Sequence, residues 1–238
     1  MPLVVGALMI GWYNWARFDS PLEFGLRYQI TIFNLNQDMA LTFRPDYVFL
    51  NLYVYLLQPF EFISKFPFIQ PIMTSTLLDK FGITMPYLYL AGRLTGVLFG
   101  APFLTLSLAN LFLKDNHLNE QLSQDVSSKR NFIITLLAGS LLINFLALLF
   151  FFFSQMRYLV DIISQITLLA IIGYWKILSL RQASSSLRSK LLVVSANSLL
   201  LLTLCISLLL ALTGETSRME TLNPALFDNI NSLLSIPH

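Results

Sequence analysis

Apolar residues fall into long blocks along this chain. Four of them, Tyr87–Leu113, Asn131–Phe153, Tyr158–Leu180 and Leu191–Leu212, are built mostly from Leu, Ile, Phe, Ala and Val. Crossing the roughly 30 Å hydrocarbon core of a bilayer takes about 20 apolar residues at about 1.5 Å each, so each block predicts a transmembrane helix. A fifth stretch, Pro2–Trp15, is shorter and ends in Trp12, Tyr13 and Trp15, an aromatic cluster of the kind found at a membrane interface. It has neither the basic start nor the small-residue end of a secretory signal peptide. It reads as the last part of a longer, truncated helix, or as a whole helix in a thinned bilayer. The fold class that follows is all-α, a polytopic transmembrane helix bundle with a long outer segment containing interfacial helices.

Between the short stretch and the first long block lies that outer segment, residues 16–86. Tyr47–Leu57 and Phe60–Ile72 are rich in Phe, Tyr, Leu and Ile and carry few charges, with Pro45, Pro59, Pro67 and Pro71 as punctuation. Tyr47–Leu57 predicts a short helix lying in the membrane interface. The proline-rich stretch after it predicts an extended cover packed on the bundle, because a residue before proline is driven out of the helical region. A loosely ordered apolar loop is the other reading. Residues 87–238 form the predicted four-helix region.

Charge sets the orientation. The connection 176–190 carries Lys176, Arg181, Arg188 and Lys190 with no acidic residue, which places it in the cytoplasm. The loop 114–130, two spans away, must lie on the same side, and its Lys114, Lys129 and Arg130 agree. The turn Ser154–Arg157, the tail after Leu212 and the 16–86 segment then face outward. Only 12% of the 238 residues are charged while 55% are hydrophobic, against about 25% charged in a soluble domain, so a soluble fold of this size would lack the polar surface to cover itself. The net charge of +2 is spread over helix ends and loops without a basic stripe, which excludes nucleic acid as a partner. Cys205, the single cysteine, sits in an apolar run as a small buried or lipid-facing side chain.

The stretch Tyr13-Asn14-Trp15-Ala16-Arg17-Phe18-Asp19-Ser20-Pro21-Leu22-Glu23-Phe24-Gly25-Leu26-Arg27-Tyr28-Gln29 resembles one that follows a late transmembrane helix in bacterial protein-mannosyltransferase-like members of the GT-C glycosyltransferase superfamily. The Gln155-Met156-Arg157-Tyr158-Leu159-Val160-Asp161 turn and the Pro86–Pro102 segment with Gly92, Gly96 and Gly100 are similar to the same family, and the likeness extends over most of residues 10–180. The resemblance implies a complete protein in the bacterial cytoplasmic membrane. It would transfer a sugar from a polyprenyl-phosphate donor to an acceptor on the outer face, with a carboxylate base and commonly a divalent metal. In that family the catalytic carboxylates sit in the first outer loop. Nothing here corresponds to that loop, so the chain is expected to be a C-terminal half that lacks its N-terminal partner half, contains no catalytic residue or cofactor of its own, and is inactive alone. A non-enzymatic multipass protein, a transporter component or an assembly scaffold, is the alternative.

Several polar residues stand out against the apolar background. Asp161 lies about one turn inside the outer end of its span, where a carboxylate is costly. Arg157 precedes it by four residues, so the two either neutralise one another on one helical face or Arg157 holds an anionic lipid phosphate with its forked donors. Arg93, about two turns into its predicted helix, either snorkels outward or takes a headgroup. Arg27 and Tyr28, beside Glu23 and Gly25, either line a headgroup or acceptor groove or close an internal Glu23–Arg27 link. Gly92, Gly96 and Gly100 repeat every four residues and predict close approach of a neighbouring helix. Asn144, Gln165 and Asn197 read as interhelical hydrogen bonds. His117 and His238 are too isolated for a metal site. Phosphate-loop, nucleophile-elbow and zinc-protease motifs are absent from the sequence.

The charge count yields a direct test. In a Cys205→Ser background, Ser185→Cys should resist a membrane-impermeant thiol reagent in intact cells while Asp38→Cys is labelled. Labelling at position 185 would invert the topology.

Overall fold

The computed structural model describes residues 2–25, 28, 39–80, 82, 84–113, 124–183, 186–213 and 218–234. The chain divides into two compact units, Met1–Arg44 and Pro45–His238. The outer segment expected over residues 16–86 is therefore shared between them, and its part from Pro45 onward folds with the long helices.

The first unit contains α1 (Pro2–Phe18), which runs past the expected Trp15 boundary. Its 17 residues give about 26 Å of helix, a little short of the hydrocarbon core. The Arg17 guanidinium lies 5.0 Å from the Phe18 ring centre and donates to the Tyr13 hydroxyl at 2.9 Å, so the end of the helix is a basic and aromatic collar.

Three helices in the second unit are long and apolar enough to cross a membrane: Asp125–Phe150, Met156–Gln182 and Leu187–Thr213. They correspond to α6 (Gln124–Phe150), α7 (Val160–Ala183, entered through a 3-10 turn at Met156–Leu159) and α8 (Leu187–Thr213). The middle span is the central one. It is 33% buried, against 11% and 6% for its neighbours, because α6, α8 and the chain from Pro102 to Phe112 all pack on it. Asn144 donates to the Asp161 carbonyl, Gln165 to the Ser140 hydroxyl, and Tyr174 to Asn197 Oδ1, so the three isolated amides tie helix to helix as their sequence context predicts.

The fourth expected span, Tyr87–Leu113, is not a continuous helix. It is broken into β3 (Leu90–Ala91), β4 (Arg93–Leu94), α4 (Val97–Gly100), a 3-10 helix (Pro102–Leu108) and α5 (Ala109–Phe112). Length and hydropathy alone predicted helix here. The bonds that replace the helical ladder come from distant residues: Gly92 N–H donates to the Ser154 carbonyl, Gly96 N–H to the Gln58 carbonyl, and the Gln58 side-chain amide to the carbonyls of Leu94 and Ile72. Unwound backbone in an apolar setting persists only when protein groups satisfy it, as here. The segment still descends along the bundle, from Gly100 against Ser207, through Phe103 against Thr203, to Leu113 against Lys176.

At the upper end of the bundle the rest of the unit forms a cap. Helix α2 (Val48–Leu57) packs on α4 and on the end of α6. The proline-rich stretch that follows is extended, as strands β1 (Phe60–Phe62) and β2 (Ile69–Met73), paired antiparallel; β2 pairs in turn with β4, in the register Ile72 to Leu94 and Met73 to Arg93. After β2 comes α3 (Thr74–Lys80). Strand β3 runs parallel to β5 (Phe153–Ser154) in the turn between α6 and α7. Two C-terminal helices, α9 (Arg218–Leu222) and α10 (Pro224–Leu234), complete the cap, with Asn231 accepting from the Phe66 N–H. The main core, including Val54, Tyr55, Leu94, Phe103, Leu148 and Ile162, lies where the cap meets the bundle.

The three glycines of the expected small-residue face do not share one. A Cβ on Gly92 would come 2.9 Å from the Gln155 side chain, and one on Gly96 would come 2.7 Å from the backbone of Leu56, whereas Gly100 meets only ordinary contacts. The tightest helix approach is elsewhere: a Cβ on Gly173 of α7 would stand 2.1 Å from the Leu106 carbonyl oxygen. Gly173→Ala and Gly96→Ala should each destabilise the protein by about 1–3 kcal/mol through overpacking. Gly139→Ala, where nothing lies within 4 Å, should be neutral or stabilising by up to about 1 kcal/mol. Thermal unfolding in detergent separates the two groups, and equal shifts at all three positions would contradict the packing.

Candidate functional site

The cap is built on buried polar side chains, Asn51, Gln58, Thr74 and Tyr89, that hydrogen-bond to one another and to backbone carbonyls. Asn51, Val54, Tyr55 and Gln58 are spaced three and four apart, so they fall on one face, and all four are buried. The Asn51 amide donates to the carbonyls of Leu148, Leu149 and Phe151, capping the end of α6, and its Oδ1 accepts from the Tyr89 hydroxyl at 2.6 Å. About two helical turns further on, Gln58 donates to Ile72 and Leu94 and its Oε1 accepts from the Thr74 hydroxyl at 3.0 Å. Sequence reasoning passed over Asn51, Gln58, Thr74 and Tyr89. The available signal was a pair of amides seven residues apart in an otherwise apolar run.

Burial pushes the Tyr89 phenol up to about 12. It pushes the Tyr55 phenol up as well, with the neighbouring Tyr89 phenol acting in the same direction. Both therefore remain neutral hydrogen-bonding groups, Tyr55 facing the Phe153 carbonyl at 3.5 Å.

On this frame sits Arg157, in the 3-10 turn that follows β5. Its guanidinium is exposed at the edge of an aromatic cluster, 5.1 Å from the Tyr158 ring centre and 5.8 Å from that of Phe153, and it donates to the Tyr158 hydroxyl at 3.3 Å. Phe151 and Phe153 stand edge-on to Tyr158. The expected ion pair with Asp161 is not formed. Arg157 lies in a 3-10 turn of about 3.0 residues per turn, so a spacing of four does not stack it under Asp161 as a continuous α-helix would. Asp161 is exposed at the start of α7, where a carboxylate favours the helix dipole.

Arg93 is on strand β4, opposite Met73, and not two turns inside a helix. It is half-buried and makes no ion pair or side-chain hydrogen bond among the described residues. Its neighbour Gly92 packs on Ser154 and Gln155, so the β3–β5 pairing joins the two chain segments that carry Arg93 and Arg157. Arg27 lies outside the described residues. Tyr28 belongs to the first unit, where its ring stacks on Phe18 at 5.3 Å. The Glu23 carboxylate accepts from the Gly25 N–H at 2.9 Å. Of the sequence candidates, the second unit thus brings together Arg93, Arg157 and Asp161 at one end of the bundle, with nothing comparable described for Arg27. Among the described residues no three potential metal ligands converge.

The raised Tyr89 pKa carries a signed consequence. Tyrosine in the unfolded chain ionises near pH 10, so below that pH both states are protonated and stability does not respond; between about 10 and 12 the unfolded chain releases a proton that the folded chain keeps, and stability falls as pH rises. Tyr89→Phe should cost about 1 kcal/mol at neutral pH by stranding Asn51 Oδ1, and should flatten the decline above pH 10. Apparent Tm against pH for the two proteins makes the comparison, and parallel curves would contradict it.

Comparison with family profiles, with curated proteins and with solved structures finds no match to this chain.

Proposed function

We propose that this chain is the membrane-embedded C-terminal portion of a transferase that moves a sugar from a polyprenyl-phosphate donor, and that its cap end receives the donor's phosphate. The observation that carries this reading is the pair of arginines, Arg93 and Arg157, set in segments joined by the β3–β5 pairing and neither engaged by a carboxylate among the described residues. Guanidinium groups at the edge of an apolar bundle are suited to a lipid phosphate, because their forked donors match its oxygens and little hydration need be removed. The aromatic surround of Arg157 also offers a surface for the adjoining prenyl chain. In this reading the protein resides in the bacterial cytoplasmic membrane, and the catalytic base, with any divalent metal, is supplied by a region resembling the family's first outer loop.

A non-enzymatic scaffold is the second reading. It is favoured by the flanking spans, which bury so little of themselves that lipid or another membrane chain must cover them.

Polyprenyl-phosphate binding to the purified protein in detergent tests the proposal. Arg93→Gln and Arg157→Gln should each weaken binding by roughly tenfold, the loss of one charge-assisted contact. Arg157→Lys should bind less tightly than wild type because the fork is lost. The Arg157→Leu, Asp161→Leu double variant should fold and yet bind roughly tenfold more weakly than wild type. Wild-type affinity in that variant would eliminate the phosphate role, and turnover by the chain alone with a polyprenyl-phosphate sugar would show that the base lies within these residues.

A further inference from the structure

The opposite end of the bundle carries a groove of about 560 Å³ between α6 and α7, lined by Arg130, Ile171, Trp175, Lys176, Leu178 and Gln182 among others. Its polarity is graded along the helix axis. Gln182 ends its span and Ile171 lies eleven residues earlier, about 16 Å deeper at 1.5 Å per residue. The span starting at Asp125 has 26 residues, about 39 Å, which exceeds the roughly 30 Å hydrocarbon core by some 4–5 Å at each side. Arg130, five residues in, therefore sits close to the boundary between headgroups and hydrocarbon, while Ile171, Trp175 and Leu178 line the acyl region. Trp175 is 69% exposed along this wall.

By sequence this end is net basic: the connections 114–130 and 176–190 carry Lys114, Lys129, Arg130, Lys176, Arg181, Arg188 and Lys190 against Asp115, Glu120 and Asp125. Asp125 pairs with Lys129 at 2.6 Å. Lys176 is buried in the wall with its ammonium on the terminal carbonyls of α5, Asn110 and Leu113, both at 3.4 Å, where it balances the negative end of that short helix. We infer that the groove seats one anionic phospholipid of the surrounding leaflet, its phosphate at Arg130 and Gln182 and an acyl chain along Ile171, Trp175 and Leu178. A cationic mouth over an apolar floor at the membrane boundary matches such a lipid in charge and in polarity. The inference rests on the membrane-spanning helices and not on the sugar-transfer reading.

Trp175 reports on its own groove. In a Trp12→Phe, Trp15→Phe background it is the remaining tryptophan, and brominated lipids in mixed micelles quench it on contact. Half-maximal quenching by brominated phosphatidylglycerol should occur at a mole fraction roughly fivefold lower than by brominated phosphatidylcholine, the factor one basic residue contributes at an anionic surface. Arg130→Gln should erase that preference, Arg188→Gln should keep it, and excess inorganic phosphate should leave it intact. Ile172→Phe fills the groove without altering any charge and should erase the preference too. Equal quenching by the two lipids, loss of selectivity to free phosphate, or selectivity retained in Ile172→Phe would each overturn the proposal, the last whether or not Arg130→Gln folds.

Discussion

A peptide group taken out of water must find a partner inside the protein, and the second unit is organised around meeting that demand where the chain unwinds. From Pro86 to Gly96 the backbone is not helical, although it is apolar enough to be. Gln58 holds the carbonyls of Leu94 and Ile72, its own carbonyl takes the Gly96 N–H, and Asn51 closes the end of α6. In an apolar environment each unsatisfied group costs several kcal/mol. Two amides on one face of α2 therefore decide the conformation of a segment 30 to 40 residues away. Glycine makes the arrangement sterically feasible: the space of a side chain is taken at Gly92 by the Gln155 side chain and the Ser154 carbonyl, and at Gly96 by the backbone of Leu56 and Gln58.

That same constraint explains what could be read in advance and what could not. The three spans α6, α7 and α8 follow from continuous apolar length, and the interhelical roles of Asn144, Gln165 and Asn197 follow from their isolation. Tyr87–Leu113 was misread because hydropathy measures transfer of side chains and is blind to where backbone groups find partners. Gly92, Gly96 and Pro102 were visible as helix-weakening residues, yet their periodicity of four imitated a packing stripe. The Arg157–Asp161 pairing was misread for a related reason. An i, i+4 argument holds only within one continuous α-helix, and the 3-10 turn at Met156–Leu159 ends that continuity.

The proposed function rests on the placement of cations against this frame. Arg93 and Arg157 are carried by the two strands' flanks at the cap end, positioned by the β3–β5 pairing that Gly92 makes sterically feasible. Arg130 and Lys176 occupy the other end, where Lys176 is spent on the carbonyls of α5. The two ends thus differ in kind. One is a folded cap in which Arg157 lies beside Phe153 and Tyr158, and the other is a groove between α6 and α7.

The unwound segment depends most on the Gln58 amide, which bonds the carbonyls of Leu94 and Ile72. Hydrogen–deuterium exchange of the protein in lipid nanodiscs, wild type against Gln58→Leu, measures this directly. Amides from Leu90 to Leu104 should be protected in the wild type and exchange markedly faster in the variant, with α6, α7 and α8 unchanged. Unaltered protection over Leu90–Leu104 in a folded Gln58→Leu protein would contradict the account.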